Sequence, residues 1–254
     1  MILRRLGNKK RIAKEIQKHF PPHKIYIEPF FGAGGMFFNK PKAKYNIVND
    51  LDSDVFNLFQ VVMNQKEELE KAFYMMPIHS DLLEYWKKNE ETEPIKKALR
   101  FLLLSNFTFM GRTGCLRYGN RNSSKLLLAK IAETFKWLFE VQFHNTDFKK
   151  FLKSLIFENV KDAFIYADPP YIHDNDKRNY NGLLFNESQS IDLFNALEAT
   201  KCKFAMSEFD NPFILQQAKE RNLNVIIIGE RQNLKNRRTE ILVTNYTSPQ
   251  QKLF

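Results

Sequence analysis

Short apolar runs alternate along the chain with stretches in which apolar residues recur every three or four positions. The apolar runs are rich in β-branched and aromatic residues and predict strands at 24–28, 45–50, 141–145, 163–168, 203–207, 224–229 and 240–246. Helical spacing lies between several of them, at 51–64, 190–200 and 212–221, and an earlier stripe of Ile12, Ile16 and Phe20 ends at two prolines. This alternation predicts a doubly wound α/β sheet.

The middle of the chain has a different pattern. From about residue 66 to 136, leucines and aromatic residues recur at helical spacing, and a polar run rich in Arg, Asn and Gly interrupts them at 106–124. We therefore predict one α/β domain built from residues 1–65 and 140–254, with a mainly helical insertion at 66–139. The interrupting polar run is predicted to be a loop or a hairpin.

Charge and composition narrow the class of protein. The 254 residues carry a formal net charge of +10, which favours a polyanionic partner such as nucleic acid or an anionic membrane surface, although a lysine-rich bias would give the same number. Two distant cysteines and five scattered histidines show no metal-ligand spacing, so no metal is expected. Residues 1–16 contain no apolar core of signal-peptide length, and no apolar run reaches membrane-spanning length, so we expect a cytoplasmic protein.

A glycine cluster, PFFGAGG, follows the strand at 24–28 and precedes a segment predicted to be a helix. Glycines let a ligand approach the backbone closely, and Asp50, at the end of the next strand, is placed to accept from ribose hydroxyls. The turn alone is a weak signal and does not distinguish a dinucleotide from S-adenosylmethionine. Glu28, directly before it, would repel a pyrophosphate and suits a cationic group such as a methionine ammonium, or is simply a solvated strand end.

The segment ADPPYI is the most informative in the chain. Its two prolines cannot join a sheet ladder, so the strand at 163–168 stops at Asp168. Asp168 and the Pro169 carbonyl offer two hydrogen-bond acceptors, and Tyr171 offers a flat face. Two acceptors beside an aromatic ring match the exocyclic amine of a base that has been flipped out of a duplex. In isolation, the segment is equally compatible with a loop that follows a core strand.

Taken together, these motifs resemble the Dam-like, alpha-group N6-adenine DNA methyltransferases almost from end to end: LGNKKRIAKEI, EPFFGAGGMFF, NDLDSDVF, TDFKKFL, ADPPY and TEILVTNY. The resemblance implies a Rossmann-like sheet with helices on both faces, S-adenosylmethionine as cofactor and a flipped-out adenine of double-stranded DNA as substrate. It implies catalytic roles for Asp168, Pro169, Pro170 and Tyr171. It implies cofactor binding by Gly7, Lys9, Glu28, Pro29, Phe30, Gly32, Ala33, Gly34, Asp50, Leu51, Asp147, Phe148 and Asp168.

Within the insertion, GCLRYG at 114–119 is similar to the hairpin that enters DNA in this family. The similarity implies DNA contacts by Arg112, Arg117, Tyr118, Asn120 and Arg121. Arginine reads guanine and asparagine reads adenine, but each of these arginines is equally suited to touching phosphate. A second basic run at 230–238 is predicted to contact phosphate or to form a solvated loop. Arg5 and Leu6 stand where the family often has an aromatic residue beside the opening motif, so the resemblance implies no cofactor stacking there. The sequence NRNSSK replaces the hairpin continuation that is common in Dam, which leaves the recognition sequence open.

Several alternatives remain on the sequence alone. N4-cytosine methylation needs the same acceptors, although an aspartate at the first motif position favours adenine. An inactive DNA-binding homologue is a second alternative, and an NAD-dependent oxidoreductase is disfavoured by Glu28. C5-cytosine methylation is disfavoured because neither cysteine follows a proline. The resemblance also allows a cognate restriction endonuclease as a partner.

Overall fold

A computed structural model describes residues 1–3, 8–108, 116, 124–172, 185–232 and 237–250. Within them lies one seven-stranded sheet, and each of the seven predicted strands is present. The strands are β1 Ile25–Glu28, β2 Tyr45–Asn49, β3 Val141–His144, β4 Ala163–Ala167, β5 Lys203–Phe209, β6 Asn224–Gln232 and β7 Arg237–Thr244.

The sheet has the order β3-β2-β1-β4-β5-β7-β6. All neighbouring strands are parallel except β7, which runs antiparallel to both β5 and β6. The order reverses between β1 and β4, whose register pairs Ile25 with Ala163 and Ile27 with Ile165. The carboxyl ends of β1 and β4 therefore lie side by side, at the position where open α/β sheets bind their ligands.

Helices cover both faces of the sheet, as predicted. They are α1 Ala13–Gln17, α2 Ser53–Asn64, α3 Lys66–Met75, α4 Ser80–Lys88, α5 Pro94–Asn106, α6 Ser124–Leu138, α7 Phe148–Ser154, α8 Glu187–Ala199 and α9 Pro212–Glu220. Alternate residues of β1 enter different cores, because successive side chains of a strand point to opposite faces. Tyr26 packs in one core, and Ile27 packs in the core that receives residues of α7, α8 and α9.

The helices of residues 66–139 share the first of these cores with the sheet. Leu69 of α3, Leu102 of α5 and Ile131 of α6 belong to the same buried cluster as Tyr26 and Val48. The helical character predicted for this region is confirmed. Its division from the rest of the chain as a separate target-recognition domain stays a prediction.

The prediction of a helix directly after the glycine cluster is wrong. Between β1 and β2 the chain forms only a short 3₁₀ turn at Phe37–Asn39. Gly32 and Gly34 adopt positive φ angles of 54° and 70°, which interrupt helical geometry. Pro41 disfavours a helical conformation at the residue before it, and Lys40 is extended there. The glycine cluster therefore presents a folded turn in place of a helix amino terminus.

The basic run at 230–238 also differs from the loop that the sequence predicts. Residues 230–232 belong to β6 and residues 237–238 to β7, where Glu230 pairs with Thr239. Residues 233–236 lie outside the described residues. None of the helices in the described part of the chain has the length and apolar character that crossing a membrane requires.

Candidate active site

The predicted catalytic segment, Asp168 to Tyr171, is called the catalytic corner here and begins where β4 ends. All five residues of β4 are buried. At the carboxyl end of the strand the chain reaches Asp168, whose side chain is 22% exposed. Pro169 and Pro170 then prevent further pairing with neighbouring strands. Burial raises the pKa of the Tyr171 phenol well above its usual value, and the nearby carboxylates of Asp168 and Glu240 raise it further. The hydroxyl of Tyr171 therefore keeps its proton and acts as a donor.

Lys9 reaches this corner from the amino-terminal segment. Its Nζ lies 2.7 Å from Oδ1 of Asp168, 3.2 Å from Oε1 of Glu240 and 4.3 Å from the centroid of the Tyr171 ring. The Lys9 side chain is only 3% exposed. Its backbone lies in a 3₁₀ turn capped by Asn8, whose Oδ1 accepts from the Lys10 amide at 2.9 Å. The lysine predicted to lie near the cofactor thus contacts the predicted catalytic aspartate directly.

Two buried glutamates complete the corner, and the sequence analysis missed both. Glu240 accepts a hydrogen bond from the Tyr171 hydroxyl and is ion-paired with Lys9. Glu208, at the end of β5, accepts from the amides of Phe209 at 2.9 Å and Ile172 at 3.3 Å. Burial raises the pKa of Glu208 to about 8. For Glu208 the available signal was a carboxylate at the end of a mostly apolar strand, because such a group is costly without a use. Glu240 follows two arginines and a threonine at the start of its strand and carried no such signal.

The glycine turn packs against the segment that carries Lys9. A Cβ on Gly35 would lie 2.5 Å from Oδ1 of Asn8, and a Cβ on Gly34 would lie 2.4 Å from the Phe38 ring. Neither position has room for a side chain, so both approaches depend on glycine. A Cβ on Gly32 would meet nothing within 4 Å. The turn therefore has open space at Gly32, where a ligand could approach the backbone.

Two side chains tie the carboxyl ends of β1, β2 and β3 together. Asp50 accepts from the amides of Gly32 at 2.5 Å and Asp52 at 2.8 Å. Asn49, which the sequence analysis did not select, donates to the carbonyls of Pro29 and Thr146, each at 3.0 Å. The predicted ribose acid therefore also shapes the glycine turn.

An aromatic surface lies beside these strand ends. Phe30 lies two residues after the end of β1 and packs against Phe148, with ring centroids 5.4 Å apart. Asp147 caps α7 by accepting from the Lys149 amide at 2.9 Å, which fixes where Phe148 begins the helix. Leu51 is 46% exposed. Apolar rings next to a carboxylate fit a ligand that has both a flat base and sugar hydroxyls, as S-adenosylmethionine does.

Glu28 is buried beneath the glycine turn and is not a solvated strand end. It is 2% exposed and accepts from the Tyr26 hydroxyl at 3.0 Å. Burial raises the pKa of Glu28 well above its usual value, and the nearby carboxylates of Asp168 and Asp50 add to this effect. A cationic group bound beside Glu28 would favour its charged form. Its predicted contact with the cofactor stays a prediction.

The remaining predicted residues lie outside the part of the chain that the structure describes. These are Gly7 of the amino-terminal motif and the DNA-contacting set Arg112, Arg117, Tyr118, Asn120 and Arg121. Within residues 106–124 the structure describes Thr108 and Leu116, which form an isolated antiparallel bridge. Among the described residues, no group of His, Cys, Asp and Glu side chains is arranged to hold a metal ion.

The sequence of this chain is similar to those of known proteins. The sequence model of the D12 class N6 adenine-specific DNA methyltransferases matches residues 6–240. A DNA adenine methylase of Haemophilus influenzae is 31% identical over 196 residues, which cover 71% of this chain and 67% of that protein. The DNA adenine methylase of Escherichia coli K12 is 25% identical, with 65% of this chain and 62% of that protein covered.

One relative aligns over nearly the whole length of both chains. A Type II methyltransferase of Lactococcus lactis subsp. cremoris is 23% identical over 94% of this chain and 93% of its own. The match to the D12 class covers the amino-terminal motif, the glycine turn, the catalytic corner and β7 up to Glu240. The family resemblance read from the sequence is therefore confirmed. This chain belongs to the D12 class N6 adenine-specific DNA methyltransferase family, whose activity is adenine-specific DNA methylation with S-adenosylmethionine.

Proposed function

We propose that this chain transfers the methyl group of S-adenosylmethionine to the N6 amine of a flipped-out adenine, and that the Asp168–Tyr171 corner holds that base. One observation carries the proposal. The corner lies at the carboxyl end of β4, beside the glycine turn that follows β1, at the point where the strand order reverses. A base at the corner and a cofactor at the turn would therefore be neighbours.

Each residue of the corner has a distinct role in this proposal. Asp168 and the Pro169 carbonyl accept the two hydrogens of the amine, which draws electron density towards its nitrogen. Pro170 fixes the backbone, and Tyr171 supplies the surface on which the base stacks. The amine nitrogen would then attack the methyl carbon as the carbon–sulfur bond breaks, which leaves the thioether S-adenosylhomocysteine, and the methylated nitrogen would release one proton to water. Holding the amine in line accounts for much of the rate.

The cofactor side of the site is formed by the turn and the neighbouring strand ends. S-adenosylmethionine supplies an electrophilic methyl group bonded to a sulfonium. We assign the ribose to Asp50, and the adenine ring to Asp147 and to the apolar surface of Leu51, Phe30 and Phe148. We assign the rest of the cofactor to Gly7, Lys9, Glu28, Pro29, Gly32, Ala33, Gly34 and Asp168.

We assign DNA binding to the helical insertion at 66–139, and catalysis to residues 1–65 and 140–254. The net charge of +10 supports a polyanionic substrate. The hairpin sequence supports base and phosphate contacts by Arg112, Arg117, Tyr118, Asn120 and Arg121. The insertion helices share a core with the sheet, so a DNA-bound insertion would be held rigidly relative to the catalytic corner.

The experiment is incubation of the protein with methyl-labelled S-adenosylmethionine and unmethylated DNA, followed by nucleoside analysis. We expect label in N6-methyladenine, and none with the isosteric Asp168→Asn variant as control. Label in N4-methylcytosine would keep the corner and overturn the base assignment. Absence of label with DNA and bound cofactor would contradict the proposal, since an inactive homologue gives that result.

We further propose a cognate restriction endonuclease as a partner and the cytoplasm as the place of action. The Lactococcus relative named as a Type II methyltransferase supports the first of these. The test is whether plasmid DNA methylated by this protein resists an endonuclease encoded beside it. Cleavage of fully methylated plasmid would contradict the pairing.

A further inference from the structure

Glu240 occupies an unusual place for an ionisable residue. It lies near the start of β7, and because β7 is antiparallel to β5, this start lies at the same sheet edge as the ends of β4 and β5. In the register of the two strands Glu240 pairs with Phe209, and its side chain is 1% exposed. A buried carboxylate is strongly destabilising unless hydrogen bonds and a counter-charge compensate for its lost hydration.

The compensating contacts come from two distant segments of the chain. The hydroxyl of Tyr171 donates to Oε1 of Glu240, and Nζ of Lys9 lies 3.2 Å from the same oxygen. Nζ of Lys9 is also 2.7 Å from Oδ1 of Asp168. Glu240 therefore connects the amino-terminal turn to both ends of the catalytic corner, the aspartate through Lys9 and the tyrosine directly.

These contacts determine how the Tyr171 ring is held. Its hydroxyl is fixed by Glu240, its ring meets the Phe209 ring in a T-shaped contact at 4.7 Å, and the Lys9 ammonium lies 4.3 Å from its centroid. A phenol held at its hydroxyl loses rotation about its side-chain bonds. A stacking surface for a flipped base would then be formed before the base arrives.

We propose that Glu240 is a positioning residue for methyl transfer. It touches neither the base nor the cofactor; it holds the Tyr171 ring and the Lys9 ammonium where Asp168 takes the target amine. This inference rests on the proposed function, because it concerns the geometry of the same corner. It assigns a role to a residue 69 positions from its hydrogen-bond partner.

A double-mutant cycle tests the link. We compare single-turnover methylation by wild type, Tyr171→Phe, Glu240→Ala and the double variant, with Tyr246→Phe as the matched control. Tyr246 also donates its hydroxyl to an internal acceptor, the His19 carbonyl at 3.0 Å, beyond the other end of β7. We expect losses of about tenfold for Tyr171→Phe and about a hundredfold for Glu240→Ala, since an unmade buried hydrogen bond or charge pair costs that much.

The decisive result is non-additivity, which residues that act through one contact show. The double variant is expected to be no slower than Glu240→Ala, and Tyr246→Phe to keep the wild-type rate. The Michaelis constant for DNA should change less than about twofold, because a buried residue that acts only on the chemical step changes kcat. Losses that multiply to about a thousandfold would overturn the proposal.

Folding and the proposed function are checked separately. If Glu240→Ala does not fold, Glu240→Gln takes its place, since it keeps the size and one accepting oxygen and loses the charge opposite Lys9. A wild-type rate for both Glu240→Gln and Tyr171→Phe would overturn the positioning role. Wild-type protein that forms no N6-methyladenine would remove the proposed function, and with it the inference; normal wild-type activity with an additive cycle would remove the inference alone.

Discussion

Glu208 makes the stability of this protein depend on pH. Its carboxyl group is buried at the end of β5, where it accepts from the amides of Phe209 and Ile172. Burial raises its pKa from 4.5 to about 8, and the nearby carboxylate of Asp168 also raises it. We expect Glu208→Gln to remove this pH dependence, because glutamine has the same shape and does not ionise.

The direction and the size of this change in unfolding free energy follow from the raised pKa of Glu208. Between about pH 4.5 and 8 the folded protein keeps the proton of Glu208 while the unfolded chain has released it. Unfolding therefore becomes easier as the pH rises, by up to about 1.4 kcal/mol per pH unit and by about 2 kcal/mol between pH 6 and 8. Above pH 8 the effect levels off. Losing the Ile172 hydrogen bond costs the variant about 1 kcal/mol at every pH.

The assay is urea unfolding of wild type and Glu208→Gln at pH 5, 6, 7, 8 and 9. The difference in unfolding free energy should move in favour of the variant by about 2 kcal/mol from pH 6 to 8. The matched control is Ser207→Ala, a neighbour on β5 that has a hydrogen bond to Tyr166 and no charge. A plot of unfolding free energy against pH for Ser207→Ala should run parallel to the plot for wild type. Parallel curves for Glu208→Gln as well would refute the reasoning.

Three further predictions follow from the site and the net charge. Asp168→Asn should abolish methyl transfer and leave DNA affinity within about threefold in a filter-binding assay, and wild-type turnover would contradict its role. Gly34→Ala should lower the unfolding free energy by about 1–3 kcal/mol, because a Cβ would lie 2.4 Å from Phe38 and φ is +70°; an unchanged urea midpoint would contradict this. DNA affinity should fall steeply between about 50 and 200 mM salt, and a flat titration would rule out phosphate contacts as its main source.

Much of the fold could be predicted because the central strands are covered on both faces. All five residues of β4 are buried, so the strand appears in the sequence as an uninterrupted apolar run. The ends of β1 and β4 then carry the two motifs with the clearest chemistry, and the switch in strand order brings these ends together. The prediction of a helix after the glycine turn was wrong, because the positive φ angles of Gly32 and Gly34 and the presence of Pro41 prevent helical geometry in that segment.

Glu240 belongs to the site but could not be predicted from the sequence, for a different reason. The sequence of β7 shows that a strand exists but not that it runs antiparallel to β5. Had β7 been parallel, Glu240 at its start would lie at the opposite edge of the sheet, far from Asp168. The hydrophobic pattern of a sequence indicates which residues are buried but does not indicate the direction in which a strand runs. A buried charge near the beginning of a strand could therefore be recognised only once the sheet order was known.

The ion pairs at the corner explain why its residues must come from distant segments. Two carboxylates, Asp168 and Glu240, share the ammonium of Lys9, and a buried charge that loses its partner costs several kcal/mol. No one of these groups is favourable in this place without the others. The amino-terminal turn, the end of β4 and the start of β7 must therefore dock together. A geometry built in this way is fixed before DNA arrives, which is the condition under which positioned acceptors increase the rate of methyl transfer.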